Sequence, residues 1–430
     1  MKVCMFVFNN CAHDARVLKE AKTLTEAGYD VQIIALSGQG LARTEERDGF
    51  RILRVDVLLP GERVALATSD NASAASNTAR VAARGGVGSV LLRPLAPIYD
   101  WARKRPSGPV RRLLVAIYRP YSFWQYSRQA WRIVKHKPAH VYHCHDLNTL
   151  HIGYLARRRH GGKLVYDAHE LTPELAYVSR PERLGWRVME RFLIRRADTV
   201  ITTGSHRAQY LVTRYGIAPP TVLLNCPPLA LAQASDDALR ERLGLEDGAV
   251  PLVLYQGGFI PGRGLDKLVL AARYVHNGLL VLMGWGTEEA VLRGVVRREG
   301  LEGRVYFTEP VPPDELVRYC MSASAGVVIY RNTGLNNYYA TPNKLYEYIH
   351  AGLPVVSSDF PALKEIVEGY GLGCTFDPDD PESIAGAINR VLADEQRYNK
   401  MKSNALAAAR IFNWETESRK LLELYRGLEQ

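Results

Sequence analysis

Short apolar runs alternate with amphipathic helical stretches along almost the whole chain. The first series comprises 2–8 (KVCMFVF), 31–36, 51–57, 140–145 (HVYHCH), 163–168 and 199–203. The second comprises 252–256 (LVLYQ), 279–283, 305–308, 325–330 and 354–358 (PVVSS). Continuous apolar strands separated by helices predict parallel sheets covered on both faces. The chain therefore reads as α/β, with two Rossmann-like doubly wound units. The expected division is 1–228, then 229–412 with a linker at 229–248, then a closing helix at 413–430. Helix 13–27 shows the local logic. Val17, Leu18, Ala21 and Leu24 recur at helical spacing, and Gly28 follows where a terminating glycine is favoured. Asp14 is placed to cap this helix, with Arg16 and Lys19 facing outward. Residues 60–90, rich in Ala, Ser and Gly, read as a mobile loop.

A length of 430 residues agrees with two cores, and 47% hydrophobic with 23% charged residues describes a globular protein. No apolar run reaches the roughly 18 residues of a spanning helix. The opening VCMFVF, followed at once by Asn9 and Asn10, reads as a first strand and not as a signal segment. Six cysteines lie scattered without a CxxC pair, which argues against a disulfide or zinc framework and for a reducing cytoplasm.

Charge alters this picture in one place. Between Gly88 and Pro138 eleven cations face one acid, Asp100, so this segment alone carries the chain's net +10. It also holds Tyr99, Trp101, Tyr118, Tyr121, Phe123, Trp124, Tyr126 and Trp131. Cationic helices with interfacial aromatics suit an anionic membrane surface, which predicts peripheral attachment at the inner face of the plasma membrane. A solvated face or an oligomer contact is the plain alternative. Nucleic-acid binding finds no accompanying motif.

Ligands of open parallel sheets bind beyond the carboxyl ends of the strands, so candidate chemistry is sought there. One strand ends in His143, His145 and Asp146; the next ends in Asp167, His169 and Glu170. Two neighbouring strands ending in histidine plus acid favour a functional cluster over packing. Capping by Asp146 is the structural alternative for that residue, and no third ligand at helical spacing supports zinc. The loop Asn9–His13, including Asn10, ends the first strand and stands open as a substrate contact. In the second half, Gly257 and Gly258 follow a strand, and Arg263 precedes a helix, a device that admits a phosphate. Gly284 and Gly286 repeat it, more for turning than for contact.

The stretch 339–358, YATPNKLYEYIHAGLPVVSS, is more specific. Pro342 suits a first helical turn, so amides from Asn343 to Leu345 point out of the helix beside Lys344. Backbone donors, helix dipole and ammonium then converge on a phosphate. Glu347 sits in an apolar helix where an unpaired carboxylate is costly. It is placed to accept from two adjacent hydroxyls, such as a ribose presents.

These residues resemble the family-4, or group 1, retaining glycosyltransferases of GT-B architecture, in which two Rossmann-like domains face a central cleft. The carrying segment is PNKLYEYIHAGLPVVSSDFPALKEIV, supported by YQGGFIPGRGLDKLV, LLNCPP and DPDDPESIAGAI. The resemblance implies a ribose contact at Glu347, a diphosphate contact at Arg263, and a histidine beside the transferred sugar at His145. Tyr339 departs from the family, which has a glutamate there, and TPNK replaces a glycine-rich stretch. Asn343 and Lys344 are expected to take over sugar or phosphate contacts.

The implied activity is transfer of a hexose from a nucleoside diphosphate sugar, UDP or GDP, to an acceptor hydroxyl with retention. Arg263, Lys344 and His145 are the catalytic candidates, and Glu347, Asn343, Gly257, Gly258, Pro342 and Leu345 the donor-binding set. Asp146, His169, Glu170, Asn10 and Tyr339 are candidates for acceptor or sugar contacts. No cofactor and no divalent metal is expected, because the protein supplies the counter-charge. A lipid-linked or polysaccharide-precursor glycan is the expected acceptor. Two other classes fit the same pattern. A nucleotide-sugar 2-epimerase would turn over its donor without an acceptor. A non-catalytic nucleotide-sugar or glycan binder would release no nucleoside diphosphate.

Overall fold

The computed structural model describes residues 1–38, 40–57, 109–229, 237–245, 250–312 and 315–429, with 109–119 by backbone alone. It divides into two compact units, Met1–Leu164 and Val165–Gln430. The loop expected at 60–90, and the basic segment before 109, lie outside the described residues.

In the first unit, strands β1 (Lys2–Phe6), β2 (Asp30–Leu36), β3 (Thr44–Arg47), β4 (Phe50–Val55) and β5 (Val141–His145) are ordered β3-β4-β2-β1-β5. All pair in parallel except β3 with β4. The polar sequence TEER hid β3, because an antiparallel edge strand needs no apolar run.

Helix α1 (Ala15–Glu26) starts where Asp14 accepts from Val17 N at 3.2 Å, the cap expected for it. Arg16, however, does not face outward. It is buried, and its Nε lies 3.0 Å from Glu20 Oε1 inside the fold. An i,i+4 pair of opposite charges can turn inward where each neutralises the other.

Helices α2 (Pro109–Val134) and α3 (Leu147–His160) complete the unit. In α2 the apolar positions Tyr126, Ala130 and Val134 are buried at four-residue spacing, and Tyr126 Oη donates to Ile34 O at 3.0 Å. Tyr126 is thus a core residue, not one of the interfacial aromatics expected of the basic segment. Trp124 is half exposed, with Arg128 over its ring at 5.3 Å.

His151 of α3 meets Ser127 Oγ at 2.8 Å, and the Phe123 ring lies 4.9 Å from its own. Burial pushes its pKa from 6.5 down to about 4. The unfolded chain therefore takes up the proton first as pH falls, and stability drops between those two values, by up to about 3 kcal/mol. His151→Gln should flatten this part of the profile. Urea denaturation of both proteins at about pH 7 and about pH 5 checks it.

The second unit contains β6 (Lys163–Ala168), at whose start the division falls, followed by β7 (Thr199–Thr202) and β8 (Thr221–Val222), paired in parallel in that order. Its six-stranded sheet runs β11-β10-β9-β12-β13-β14. The strands are β9 (Leu252–Gln256), β10 (Leu279–Met283), β11 (Val305–Thr308), β12 (Ala325–Val328), β13 (Val355–Ser358) and β14 (Gly373–Phe376). All its pairings are parallel. Alternate residues of β9 and β10 enter opposite cores: Val253, Tyr255, Leu280 and Leu282 on one face, Leu252, Leu254, Val281 and Met283 on the other. Helices cover both faces, as the continuous apolar runs predicted. The short β8 and β14, with two and four residues, carried too little apolar length to be seen beforehand.

Four helices of this unit carry candidate residues or frame them: α4 (Arg180–Ile194), α5 (Ser205–Tyr215), α6 (Leu265–Ala271) and α7 (Asn343–His350). The closing helix α8 (Trp414–Glu429) is tied to the segment after β8. Glu417 Oε2 accepts from Leu224 N, and Glu415 Oε2 from Leu229 N, each at 2.9 Å. No helix among the described residues is long and apolar enough to cross a membrane.

Candidate functional site

The donor-type residues gather at the carboxyl ends of β9 and β12. After β9 the chain turns through Gly257, whose φ of +125° is a conformation that L side chains rarely adopt. Gly257 N donates to Met283 O at 2.9 Å and Phe259 N to Trp285 O at 2.8 Å, which lays the turn against 284–286. A Cβ on Gly284 would sit 2.0 Å from Gly257 O, and one on Gly286 2.2 Å from Phe259 O. Both glycines therefore serve close backbone approach, in line with the turning role expected of them. A Cβ on Gly258 would meet nothing closer than 3.7 Å, and Gly258 O accepts from Tyr255 Oη at 3.1 Å.

Opposite this turn, α7 begins at Asn343, with Pro342 as its N-cap in extended conformation and not in its first turn. Leu345 does not offer a free amide, because its N donates to Pro342 O at 3.0 Å and its side chain is buried in the core. The exposed Asn343 accepts from Asn225 Nδ2 at 2.9 Å.

Lys344 is buried, with Nζ 3.7 Å from the Tyr255 ring centroid and 3.1 Å from where a Gly257 Cβ would be. Desolvation first, then the charge of Arg263, pushes its pKa well below the ordinary lysine value, while Glu347 opposes the shift. Arg263 lies over the Tyr330 ring at 4.1 Å. Two tyrosine rings thus hold two cations near one glycine turn. Burial pushes the Tyr330 phenol up, against the lowering influence of Arg263 and Arg207 and with that of Glu170. Glu347 is half-buried and accepts from Gln256 Nε2 at 2.5 Å, the partner that its apolar helix called for.

Tyr339 ends the turn before α7 and stacks on His206 at 5.8 Å with the planes 20° apart. His169 Nε2 lies 3.1 Å from Asp167 Oδ2, and its carbonyl accepts from Arg207. Glu170 is exposed. Arg207 also donates to Asn336 O and Oδ1 at 3.0 Å, and Asn336 Oδ1 accepts from Leu171 N at 2.9 Å.

In the first unit His145 is buried at the end of β5, its ring 4.4 Å from that of His143, and Glu20 Oε2 lies 3.6 Å from His143 Nε2. Ligand-type atoms of these three lie within 4.8 Å of one another. Arg16 already supplies a positive charge to Glu20, which opposes a cation there. Asp146 does not cap α3 with its side chain; its φ of 63° and ψ of 163° are strained for a residue with a Cβ. Asn10 is exposed, Oδ1 accepting from Ala12 N at 3.1 Å and O from Arg54 Nε at 3.0 Å. All six cysteines are buried free thiols, and burial pushes Cys4 and Cys11 up to about 12.

The residues missed beforehand are those that hold the others: Gln256, Tyr255, Tyr330, Arg207, Asn336 and Glu20. Gln256 and Tyr330 had a signal, as polar ends of apolar strands. Arg207 and Asn336 had none, because their pairing spans 129 residues of sequence.

Residues 237–407 match the family described as glycosyl transferases group 1, and 13–227 match the glycosyl transferase 4-like domain. A D-inositol 3-phosphate glycosyltransferase of a Nocardioides species is 28% identical over 367 residues, 78% of each chain. The Acidothermus cellulolyticus protein of the same name is 31% identical over 308 residues, 66% of each chain. Among solved structures, sucrose-phosphate synthase from Thermosynechococcus elongatus has a TM-score of 0.73 at 19% identity, covering 100% of this chain and 99% of that one. Anabaena HepE in complex with UDP-glucose has 0.70 at 16%, covering 99% and 100%. The two-sheet α/β architecture is that of GT-B glycosyltransferases. The chain belongs to the group 1 glycosyl transferases.

Proposed function

We propose that this glycosyltransferase moves a hexose from a nucleoside diphosphate sugar to an acceptor hydroxyl with retention at the anomeric carbon. The observation that carries this reading is the pairing of buried Lys344 with Arg263 beside the Gly257 turn, each cation over a tyrosine ring. As the bond from the anomeric carbon to the diphosphate oxygen breaks, negative charge grows on that oxygen. Lys344 and Arg263 meet it without needing a divalent ion. The acceptor oxygen forms the new bond, and its proton leaves on the departing diphosphate. Preorganised charge of this kind is usually the largest single contribution to lowering such a barrier.

Glu347, held by Gln256, accepts from the ribose hydroxyls, and Asn343 and the turn at Gly257 and Gly258 complete the donor contacts. His145, Glu170 and His169 orient sugar or acceptor hydroxyls, with Asp146, Asn10 and Tyr339 at the same task. The UDP-glucose complex of the HepE neighbour favours a uridine donor. The acceptor class in this reading is a lipid-linked or polysaccharide-precursor glycan at the inner membrane face.

A thermal-shift panel of UDP and GDP sugars is expected to show a rise with a UDP-hexose, since ligand binding stabilises by mass action. Turnover with that donor, followed by NMR of the anomeric proton, should give product of the donor's configuration, undiminished by EDTA. Inverted product, or loss of activity in EDTA, would contradict this reading. Donor turnover without an acceptor would mean an epimerase.

A further inference from the structure

Helix α4 carries an exposed apolar stripe that the donor site does not use. Leu184, Val188 and Phe192 recur at four-residue spacing and are 65%, 62% and 48% exposed. At 100° per residue they form one continuous stripe along the helix. Arg180 and Arg191, both exposed, fall along one edge of it. On the other edge Arg196, just past the helix, lies over the Phe192 ring at 3.6 Å. The helix acids lie away from this face: Glu190 is buried and Glu182 accepts from Trp186 Nε1 at 3.4 Å. Immediately upstream, Tyr177 is 63% exposed.

The opposite side of α4 fixes this orientation. Glu190 accepts from Tyr166 Oη at 2.8 Å and Tyr215 Oη at 2.5 Å, Leu193 and Ile194 are buried, and Arg187 meets Glu174 at 2.7 Å. The stripe cannot roll inward without breaking that buried network.

We propose that this face of α4 docks the protein on an anionic bilayer, with Leu184, Val188 and Phe192 entering the boundary of the acyl chains and Arg180, Arg191 and Arg196 meeting lipid phosphates. Charge complementarity selects the occupant. A second copy of the chain would set arginine against arginine, whereas an anionic leaflet offers apolar depth flanked by negative charge along the whole helix. Long arginine stems reach the headgroups while their neighbours insert. In sequence this helix follows the basic segment at 88–138. The inference deepens the membrane part of the proposed function and rests on it only for the acceptor's location.

The test is flotation of the full chain with vesicles of phosphatidylcholine alone and of phosphatidylcholine mixed with phosphatidylglycerol. Wild type should float only with the mixed vesicles. Leu184→Ala/Val188→Ala/Phe192→Ala and Arg180→Gln/Arg191→Gln should each lower that partition about tenfold or more. UDP-sugar affinity and turnover with a soluble acceptor should stay at the wild-type level, because the substitutions lie on exposed positions. Undiminished flotation of both variants would assign the contact to the basic segment and overturn the proposal. So would absence of flotation, equal flotation with neutral vesicles, or wild-type dimerisation that the apolar variant abolishes. A failure of donor turnover in wild type would bear on the transferase reading alone.

Discussion

Lys344→Met is expected to lower kcat/KM by about 100- to 1,000-fold, the usual cost of deleting one preorganised donor to a departing oxyanion. Arg263→Ala should fall in the same range. The lysine result has a second, independent signature. Its pKa in the folded protein lies well below the ordinary 10.5, chiefly through desolvation. Between that lowered value and 10.5 the unfolded chain binds the proton and the folded one does not. Stability of the free enzyme therefore rises with pH across this window, and the full penalty is felt below it.

Methionine removes a buried charge at similar volume, so the variant should be at least as stable as wild type at neutral pH while losing activity. A bound diphosphate reverses the balance by favouring the ammonium, so wild type should take up a proton on binding donor in that window. Calorimetry in two buffers of different ionisation enthalpy measures the uptake, and Lys344→Met should abolish it. Near-normal turnover, or unchanged proton uptake, would remove Lys344 from the donor site.

Gly284→Ala is the second large effect. The added methyl would lie 2.0 Å from Gly257 O and 2.9 Å from Gly257 C, both backbone atoms that no rotamer change can move away. Its φ of +158° adds backbone strain. The turn after β9 must shift or the strand end must open, at a cost of about 2–3 kcal/mol, the range for overpacking with strain. Because that turn also faces Lys344 Nζ, donor affinity should fall together with the unfolding midpoint. Chemical denaturation and nucleotide-sugar titration of the same preparation measure the two losses. A variant with wild-type donor affinity would show that the turn is not part of the donor site.

The repeating strands and helices were legible because a buried parallel strand is apolar on both faces, and β9 and β10 feed two cores with alternate residues. The short β8, the polar β3 and β14 were not, since pairing and not side-chain pattern defines them. In the site, Glu347 announced itself as a carboxylate in an apolar helix that needs a partner, but its protein partner Gln256 was not foreseen. Lys344 was read as a charge at the mouth of α7, and its burial against Tyr255 was not legible. Sequence spacing gives the position of a side chain along a helix, but its depth depends on which rings the fold brings alongside. Arg16 went wrong for the same reason: a charge on a helix reads as solvent-facing until its partner Glu20 is seen buried with it.

Asn336 has a consequence for motion in the second unit. Its side-chain oxygen accepts from Leu171 N and from Arg207, and Arg207 in turn holds the carbonyl of His169. One amide thus joins the loop after β6 to the turn that leads through Tyr339 into α7. Opening either loop alone would strand a buried donor, so the cheapest local fluctuation opens both. The two loops share one opening free energy, and an event that orders the donor turn lowers the entropy left for the loop after β6 to lose.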